Sequence, residues 1–488
     1  MARPIEEALE RLASETFDLI VIGAGVVGAR VAYEAAKAGA AVALLDAGDF
    51  GGATSSASSK LIHGGLRYLQ MHDVALVHEA RRERRILMDR IAPHLVRPLQ
   101  MVLPIYHNGP HGRATVAAAL GTYAFLSGFH QSHTRMVGPG TAARLVPGIR
   151  VDGLRAAGVY EDAQTHDSRL VLATVTAADR AGAVVANHLP VTELDIARGR
   201  VCAVHSGDLR VRCRMVINAA GPWVDHVRRL EDPRAADLVR LSKGVHLVLD
   251  RPPGWRTALT TPLPEGRVAF AVPWQGMLLL GTTDTEFRAD PADLRVDEAD
   301  VSEVLSEAAL GLSPELLARE RIRYAFAGLR ALPSGAGSTA QARREEVIAQ
   351  GPAAMVSMAG GKLTTHRLIA LHVLHRLPAF ARTTLTDDPL PGSGPLPERP
   401  EGAEREVWEH LTGLYGQDAA AVFRRGPERI APGGPDVWGQ VLHAAAAEWA
   451  RTVDDVVRRR TTLQVRGLDT PAVRAAIDAT LARERVLL

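Results

Sequence analysis

The chain contains little cysteine, and this scarcity argues against two kinds of site. Its 488 residues include only Cys202 and Cys213, which are too few for the disulfide framework of a secreted domain. The sequence has no CxxC pair and no Cys/His cluster, so we expect no metal site. Residues 4–12 carry three glutamates where a signal peptide would be basic and apolar, which favours a cytoplasmic location.

Long apolar runs and aromatic residues are also scarce. No stretch reaches the length of about 18 apolar residues that a membrane-spanning helix needs. Aromatic residues make up 5% of the chain and the formal net charge is +2. These values argue against a basic surface with interleaved aromatics, so we expect no nucleic-acid partner. The length itself favours two or three domains.

Lysine is rare for a chain so rich in arginine. The 57 basic side chains comprise four lysines, and the other 53 are arginines. Three of those lysines, Lys60, Lys243 and Lys362, fall within motifs described below. A compact ammonium at these positions would explain why arginine has not replaced them, although chance is the alternative for so few residues.

The N-terminal segment has the pattern of a complete βαβ unit. Residues 17–23 (FDLIVIG) are a buried parallel strand, residues 25–39 a helix that ends at glycine, and residues 41–46 (AVALLD) a second buried strand. Such a unit at the start of a chain is typical of a nucleotide-binding domain.

The turn of this unit carries a dinucleotide fingerprint. Gly23, Gly25 and Gly28 form G-x-G-x-x-G, which permits a tight turn, close approach of a pyrophosphate and close helix–strand packing. The helix N-terminus then offers its N–H groups to the phosphates. Asp46 lies 23 residues beyond Gly23, where a carboxylate can bind ribose hydroxyls and would repel the 2′-phosphate of NADP. The motif alone leaves FAD and NAD open.

The rest of the chain alternates in character. A Gly/Ser-rich stretch at 51–70 precedes a charged helix at 74–91 and an apolar helix at 114–129. Residues 355–377 return to strand, glycine turn and helix, residues 386–404 are rich in Pro, Gly and Asp, and the remainder is helical. Strand-like segments lie between these helices, at 183–194, 201–205, 209–217, 245–249, 268–272 and 277–282.

Several motifs resemble one known family. The segment 54–69 (TSSASSKLIHGGLRYL) is similar to the signature of aerobic-type, FAD-dependent glycerol-3-phosphate dehydrogenases, within the D-amino-acid-oxidase-like flavoproteins. The likeness extends over nearly the whole chain and includes segments 218–224, 242–246, 273–274, 281–284, 328–332, 341–343, 360–365, 450–455 and 458–461.

The resemblance implies an α/β (α+β) fold with three parts. A Rossmann-type FAD-binding domain would comprise residues 14–95, 155–235 and 341–385. An inserted domain with an antiparallel sheet, which binds the substrate, would comprise 96–154 and 236–340. Residues 386–404 would be a linker to an all-helical C-terminal domain at 405–488.

The resemblance also implies a set of contacts to FAD. They come from the fingerprint, the Ser-rich segment and the two glycine turns: Gly23, Gly25, Gly28, Asp46, Thr54, Ser55, Ser56, Ser59, Lys60, His63, Gly64, Gly65, Val191, Ala220, Gly221, Trp223, Gly361, Lys362, Leu363 and Thr364. Lys362 and the helix N-terminus after Gly361 would stabilise the charge of the reduced flavin.

The implied reaction is the oxidation of sn-glycerol 3-phosphate to dihydroxyacetone phosphate by hydride transfer to the flavin. Arg330 and Arg343 match the family's phosphate ligands, and Arg67 with Tyr68 would line the glycerol end. His246 is preferred over His63 as the proton acceptor, so His246, Arg330 and Lys362 are the predicted catalytic residues.

The chain departs from the family pattern at three places. Asp46 replaces a glutamate that is frequent at the ribose position, Ala331 replaces a proline, and Arg343 lies in a Gly/Ser-rich loop of altered length beside Arg344. The carry-over to Arg343 is weakened most, because the adjacent arginine fits the motif nearly as well.

Several alternatives stay open at this point. The electron acceptor would be a quinone, or oxygen if the protein is an oxidase. An amine or amino-acid oxidase of the same superfamily is a second function, and a non-catalytic flavin-binding protein a third. The apolar helix at 114–129 is either a core helix or a peripheral contact with the inner face of the cell membrane. A homodimer is one possible oligomeric state.

Overall fold

The structure is a computed structural model that describes residues 5–64, 74–107, 109–126, 134–263, 266–335 and 346–487. Four of the predicted site residues lie outside these ranges, namely Gly65, Arg67, Tyr68 and Arg343.

Twenty strands are present in the described residues, numbered here along the chain. They are β1 Thr16–Phe17, β2 Leu19–Ile22, β3 Val42–Leu45, β4 Leu61–Ile62, β5 Val96–Tyr106, β6 Arg135–Val137, β7 Leu154–Thr165, β8 Val184–Ala186, β9 Glu193–Ala197, β10 Arg200–Ser206, β11 Leu209–Cys213, β12 Val216–Asn218, β13 Val239–Asp250, β14 Ala258–Pro262, β15 Val268–Trp274, β16 Met277–Gly281, β17 Thr285–Phe287, β18 Ile322–Pro333, β19 Glu346–Gln350 and β20 Val356–Gly360.

The α-helices of the same ranges lie between the strands and at both ends. They are Ile5–Ser14, Val26–Lys37, Val74–Ile86, Arg113–Leu126, Pro139–Leu145, Asp167–Arg180, Val224–Glu231, Glu298–Ala308, His366–Leu374, Arg405–Tyr415, Ala419–Arg425, Trp438–Ala447, Val453–Asp455 and Pro471–Leu487.

The predicted βαβ unit forms the centre of a six-stranded sheet with the order β19-β20-β12-β2-β3-β8. All its pairings are parallel except that of β19 with β20. Every residue of β2 and β3 is buried, as the continuous apolar runs predict for strands covered on both faces. Helix Val26–Lys37 packs on this sheet beside helices Asp167–Arg180 and His366–Leu374.

A ten-stranded, mostly antiparallel sheet lies beside it. The order is β17-β13-β16-β15-β14-β5-β7-β4, with β18 also paired to β13 and β6 to β7. The long strand β13 is the important one for function, because β16, β17 and β18 all pair with it. A smaller sheet, β1-β11-β10-β9, completes the strands that the structure describes.

Strand pairing bears on one predicted boundary. Residues 155–165 were assigned to the FAD-binding domain, but β7 pairs with β5 along its whole length and so belongs to the ten-stranded sheet. The strand ends at helix Asp167–Arg180, which packs on the six-stranded sheet. The chain therefore passes from the ten-stranded sheet to the six-stranded sheet near residue 166, and the domain boundaries stay predictions.

The predicted linker 386–404 contains no helix or strand, and it is packed against the first domain. The backbone carbonyl of Thr386 accepts hydrogen bonds from Arg30 and Arg367, and the side chain of Leu390 is buried. The segment therefore lies along the surface of the FAD-binding domain before helix Arg405–Tyr415 begins.

Helix Arg113–Leu126 turns its described large apolar side chains inward. Val116, Leu120 and Tyr123 are buried in the core of the ten-stranded sheet, and Gly158 of β7 leaves space for two of them. This burial favours the core alternative over a membrane contact for this helix. Across the described ranges, no helix combines the length and apolar character needed to cross a bilayer.

Candidate active site

Both large sheets contribute to one long cavity of about 1140 Å³. This exceeds the range of roughly 300–1,000 Å³ for sites that hold one drug-sized ligand. The cavity is lined by the Gly-rich turn after β2 and by residues of β13 and β18. An extended dinucleotide and a small substrate can therefore be accommodated together.

The glycines of the turn are required by backbone contacts. Gly23 has φ +98°, and a Cβ there would lie 2.6 Å from the carbonyl oxygen of Ala219. A Cβ at Gly28 would lie 1.9 Å from the carbonyl oxygen of Gly23. Without side chains at both positions, helix and strand approach closely and the backbone stays open to the cavity.

Asp46 lies at the predicted place, at the end of β3. Its carboxylate accepts hydrogen bonds from the backbone N–H groups of Ala24 (2.6 Å) and Gly48 (2.9 Å). Burial raises the pKa of Asp46 to about 6, although the two N–H groups oppose this rise. A ribose that donated its hydroxyls to this carboxylate would favour the charged form.

The Ser-rich segment directs most of its hydroxyls to the protein itself. Ser55 Oγ accepts a hydrogen bond from the N–H of Val26 at the start of the helix (3.0 Å). Thr54 donates to the carbonyl of Leu329 on β18 (2.6 Å), and Ser58 donates to Asp167 (2.7 Å). The segment therefore joins the two sheets as well as lining the cavity.

The three motif lysines have different roles in the structure. The Lys60 ammonium is buried in an ion pair with Asp167 (2.8 Å) and does not line the cavity. Lys243 points to the opposite side of β13, where it pairs with Asp300 (2.5 Å). Lys362 alone of the three lines the cavity. Lys60 and Lys243 are therefore held in ion pairs with buried carboxylates, and the contact of Lys60 with FAD stays a prediction.

Strand β13 contributes two residues to the cavity wall, Gly244 and His246. Ser242, Gly244 and His246 are two apart and so share one face of the strand. Strand β18 lies beside them, with Arg330 opposite Ser242 in the register. A Cβ at Gly244 would lie 2.3 Å from Nη2 of Arg330, so the glycine makes space for the guanidinium.

The Arg330 guanidinium donates to hydroxyl and carbonyl oxygens and lies near one carboxylate. It donates to Thr282 Oγ1 (2.6 Å), to the carbonyl of Thr283 (3.0 Å) and to Ser242 Oγ (3.3 Å). The carboxylate of Asp284 is 3.8 Å away. The group is thus oriented at the cavity wall, where an anion could compete for its donors.

His246 is almost fully buried and is held on two sides. Its Nε2 lies 2.9 Å from Ser59 Oγ, and its ring stacks on Phe326 with 5.0 Å between the ring centroids. Nδ1 has no hydrogen-bond partner among the described residues. Burial, and then the charges of Arg330 and Lys60, lower the pKa of His246 well below its usual range.

The second glycine turn follows β20. Gly360 and Gly361 both have positive φ, and they lead into a 3₁₀ turn, Leu363–Thr365, and then helix His366–Leu374. Thr364 Oγ1 accepts a hydrogen bond from the backbone N–H of His63 (3.1 Å), which ties this turn to the Ser-rich segment. Lys362 lies at the start of the turn, as predicted.

Most of the predicted site residues that the structure describes line the cavity. They are Gly23, Gly25, Gly28, Asp46, Thr54, Ser55, Ser59, His63, Val191, Ala220, Gly221, Trp223, His246, Arg330, Gly361, Lys362, Leu363 and Thr364. Ser56, Lys60 and Gly64 do not line it.

Sequence reasoning missed two groups of lining residues. One group includes Arg267, which pairs with Glu307 (2.7 Å). The other comes from the C-terminal domain, namely Thr452, Asp454, Asp455, Arg458 and Arg459. Segments 450–455 and 458–461 carry the family resemblance in the sequence, but they were assigned to the helical domain and not to the site.

Comparison with known proteins agrees with this geometry. Residues 18–367 match the family described as FAD dependent oxidoreductase, and residues 356–483 match the C-terminal domain of alpha-glycerophosphate oxidase. A glycerol-3-phosphate dehydrogenase of Synechocystis is 33% identical over 494 residues, which are 92% of this chain and 89% of the relative.

Solved structures resemble the chain as well. A glycerol-3-phosphate dehydrogenase of Bacillus halodurans complexed with FAD has a TM-score of 0.74 and 25% identity, covering 98% of this chain and 96% of its own. An L-alpha-glycerophosphate oxidase of Mycoplasma pneumoniae with FAD bound has a TM-score of 0.61 and 16% identity, covering 74% of this chain and 95% of its own. The second likeness concerns the fold alone.

Proposed function

The chain belongs to the family of FAD-dependent oxidoreductases and, within it, to the glycerol-3-phosphate dehydrogenases, and we propose that it oxidises sn-glycerol 3-phosphate to dihydroxyacetone phosphate. The observation that carries this proposal is the joint placement of Arg330 and His246 on one wall of the cavity. One supplies a fixed positive charge for a phosphate, and the other a neutral base for the alcohol.

FAD fits the cavity because the two glycine positions leave its backbone open and Asp46 stands where the ribose would lie. When bound, the flavin supplies an electrophilic N5 that accepts the hydride from C2 of the substrate. The residues around it bind and orient the two reactants, which is a positioning task. Lys362 and the N-terminus of the helix after Gly361 would stabilise the negative charge of the reduced flavin.

The alcohol proton goes to His246 in this proposal. Its low pKa keeps the imidazole neutral near pH 7, and Nδ1, which is buried and has no hydrogen-bond partner among the described residues, is the nitrogen proposed to take the proton. For Nδ1 to be the acceptor, Nε2 must carry the hydrogen and donate it to Ser59 Oγ. Ser59 is then a positioning residue that sets the tautomer.

The phosphate is bound by Arg330. A guanidinium can pair bidentately with two phosphate oxygens, and such charge-assisted bonds are stronger than the bonds it makes to Thr282 and Ser242. Arg343, Arg67 and Tyr68 are proposed to add to this subsite, and they lie outside the described residues.

An anaerobic experiment tests the proposal. Purified protein loaded with FAD is mixed with sn-glycerol 3-phosphate, and the oxidised-flavin band near roughly 450 nm is followed. Rapid bleaching is expected, and in His246→Asn the rate should fall by about 10²–10⁴-fold while the flavin stays bound. Bleaching by an amine or amino acid, but not by glycerol 3-phosphate, would favour the amino-acid oxidase alternative.

A quinone is the proposed electron acceptor. Support comes from the relatives that are named dehydrogenases, while the match of residues 356–483 to the C-terminal domain of alpha-glycerophosphate oxidase keeps oxygen as the alternative. After anaerobic reduction, a soluble quinone should reoxidise the flavin much faster than air-saturated buffer does. Fast reoxidation by oxygen with formation of hydrogen peroxide would make the protein an oxidase. Peripheral contact with the inner face of the membrane, the cytoplasmic location and a homodimer stay predictions.

A further inference from the structure

We infer that the C-terminal helical domain completes the FAD site, and that Arg458 contacts the adenine of the cofactor. The inference rests on FAD binding and not on the choice of substrate. Its starting point is that Thr452, Asp454, Arg458 and other residues of this domain line the same cavity as the Gly-rich turn.

The order of groups along the cavity places the adenine. In a Rossmann-type unit the pyrophosphate lies at the helix N-terminus and the ribose at the acid after the second strand. Here these positions are Gly25 and Asp46, while His246 and Lys362 lie toward the flavin. The remaining end, beyond Asp46, is lined by Gly48, His188, Leu189 and the C-terminal residues, so the adenine lies there.

A buried ion-pair network fixes the C-terminal domain at this end. Asp49, three residues after Asp46, pairs with the guanidinium groups of Arg459 and Arg460. Asn187 donates to Asp49 (3.1 Å) and to the carbonyl of Trp449 (2.9 Å). These polar side chains are almost completely removed from solvent, so removing one partner would leave a buried charge uncompensated.

A second contact reinforces the first. Asp455 accepts a hydrogen bond from His188 (3.0 Å) and from the backbone N–H groups of Arg451 and Thr452. Burial acts to raise the pKa of Asp455, but these bonds and the charge of Arg460 outweigh it and hold the pKa below its usual range. Asp455 is therefore a fixed anion, and the turn that carries Arg458 is held rigidly beside the cavity.

Arg458 differs from its two neighbours in the run. Arg459 and Arg460 are buried in ion pairs, whereas Arg458 is exposed toward the cavity, with no hydrogen bond or ion pair to any residue in the described ranges. A guanidinium stacks well on flat π-systems, and the adenine offers such a face. Arg459 and Arg460 therefore fix the position of the C-terminal domain, whereas Arg458 is available to contact the ligand.

Binding of FAD and docking of the C-terminal domain are then coupled. Because the domain contributes to the FAD site, FAD must stabilise the docked domain by the same free energy with which docking improves FAD binding. Amide hydrogen exchange of residues 449–467 should be slower in the FAD-loaded protein than in the protein stripped of flavin.

The decisive experiment titrates flavin-free protein with FAD and, separately, with FMN, following the flavin fluorescence. Arg458→Ala should weaken FAD binding by roughly 3- to 30-fold, the range of cation–π contacts, and leave FMN binding unchanged because FMN lacks the adenosine. Arg405→Ala is the matched control, since Arg405 lies in the same domain, is exposed and does not line the cavity.

Two results would overturn the inference. One is an unchanged Kd for FAD in Arg458→Ala, and the other is an equal loss of FAD and FMN affinity, which would indicate general damage or a contact at the flavin. No substrate is present in the titration, so its outcome is independent of whether glycerol 3-phosphate is oxidised. Asp49→Asn, which removes the ion pairs, would add a test of the coupling by hydrogen exchange.

Discussion

The cofactor end and the substrate end of the cavity are built in different ways. At the cofactor end, Gly23, Gly28 and Asp46 come from one contiguous βαβ unit and act through the backbone and a single carboxylate. At the substrate end, Ser59, His246 and Arg330 come from segments far apart in the chain. The first end depends on the absence of side chains, and the second on side chains that strand register brings together.

This difference predicts how each end should fail. A substitution at the cofactor end adds atoms where the backbone leaves no space, so the loss should be severe and independent of the substrate. A substitution at the substrate end removes a charge or a hydrogen bond, so the loss should depend on which substrate is offered. The four predictions below test this contrast, from the largest expected effect to the smallest.

Gly28→Ala should abolish FAD binding. The added Cβ would lie 1.9 Å from the carbonyl oxygen of Gly23, so the helix must move away from the turn that receives the pyrophosphate. We expect purified protein without flavin absorbance and a Kd for FAD raised by at least about 10²-fold. Gly121→Ala is the control, since it adds the same atom to a helix with open space. Retention of FAD by Gly28→Ala would contradict the assigned role of this turn.

Arg330→Ala should lower kcat/KM for glycerol 3-phosphate by about 10²-fold, from the loss of charge-assisted hydrogen bonds to the phosphate. The rate with glycerol, which has no phosphate, should hardly change. Gly244→Ala should produce the same selective loss, because its Cβ would occupy the space of the Arg330 guanidinium. An equal loss with both substrates would assign Arg330 a merely structural role.

Asp46 should make FAD binding depend on pH. Its pKa is about 6 in the flavin-free protein, and ribose hydroxyls favour the charged carboxylate, so FAD binding lowers that pKa. The affinity for FAD is then highest above pH 6, where Asp46 is charged. Below pH 6 it falls by up to about tenfold for each pH unit. FAD titrations from pH 7.5 to 5 measure this slope, and Asp46→Asn should flatten it. A slope that persists in Asp46→Asn would point to another group.

Ser59→Ala should have the smallest effect and the most specific one. Without the hydrogen bond to Ser59, the hydrogen of His246 is no longer held on Nε2. We therefore expect kcat for flavin reduction to fall by about 3- to 10-fold. Its pH profile should shift, because the ring has lost a partner, and KM should stay nearly constant. Ser59→Thr keeps the hydroxyl and should restore the profile. If alanine and threonine behave alike, the hydrogen bond to His246 has no part in catalysis.

The same contrast explains what could be predicted from the sequence. The βαβ unit, Gly23, Gly28 and Asp46 were found because local patterns encode them, and the structure places them as expected. His246 and Arg330 were assigned by family resemblance, since no local pattern joins them. Lys60 lines no part of the described cavity because its ammonium is buried against Asp167, 107 residues away in the chain.

Other features depended on contacts that no single segment encodes. The place of β7 in the ten-stranded sheet could not be read from residues 154–165 alone, because it follows from the pairing of β7 with β5. The C-terminal residues at the cavity were missed because Asp49 and Arg460 are brought together across 411 residues of sequence. Such pairings follow from tertiary packing and leave no periodic signal in the sequence.

The ion pairs between the first and last domains limit how far this protein can be shortened. Asp49 is neutralised by Arg459 and Arg460, and the buried Arg169 of the first domain pairs with Glu448 (2.7 Å). A chain cut before residue 405 would retain Asp49 and Arg169 but lose every one of these partners. A minimal flavoenzyme made from this chain would therefore need replacements at both positions, such as Asp49→Asn with Arg169→Met, before the catalytic half could stand alone.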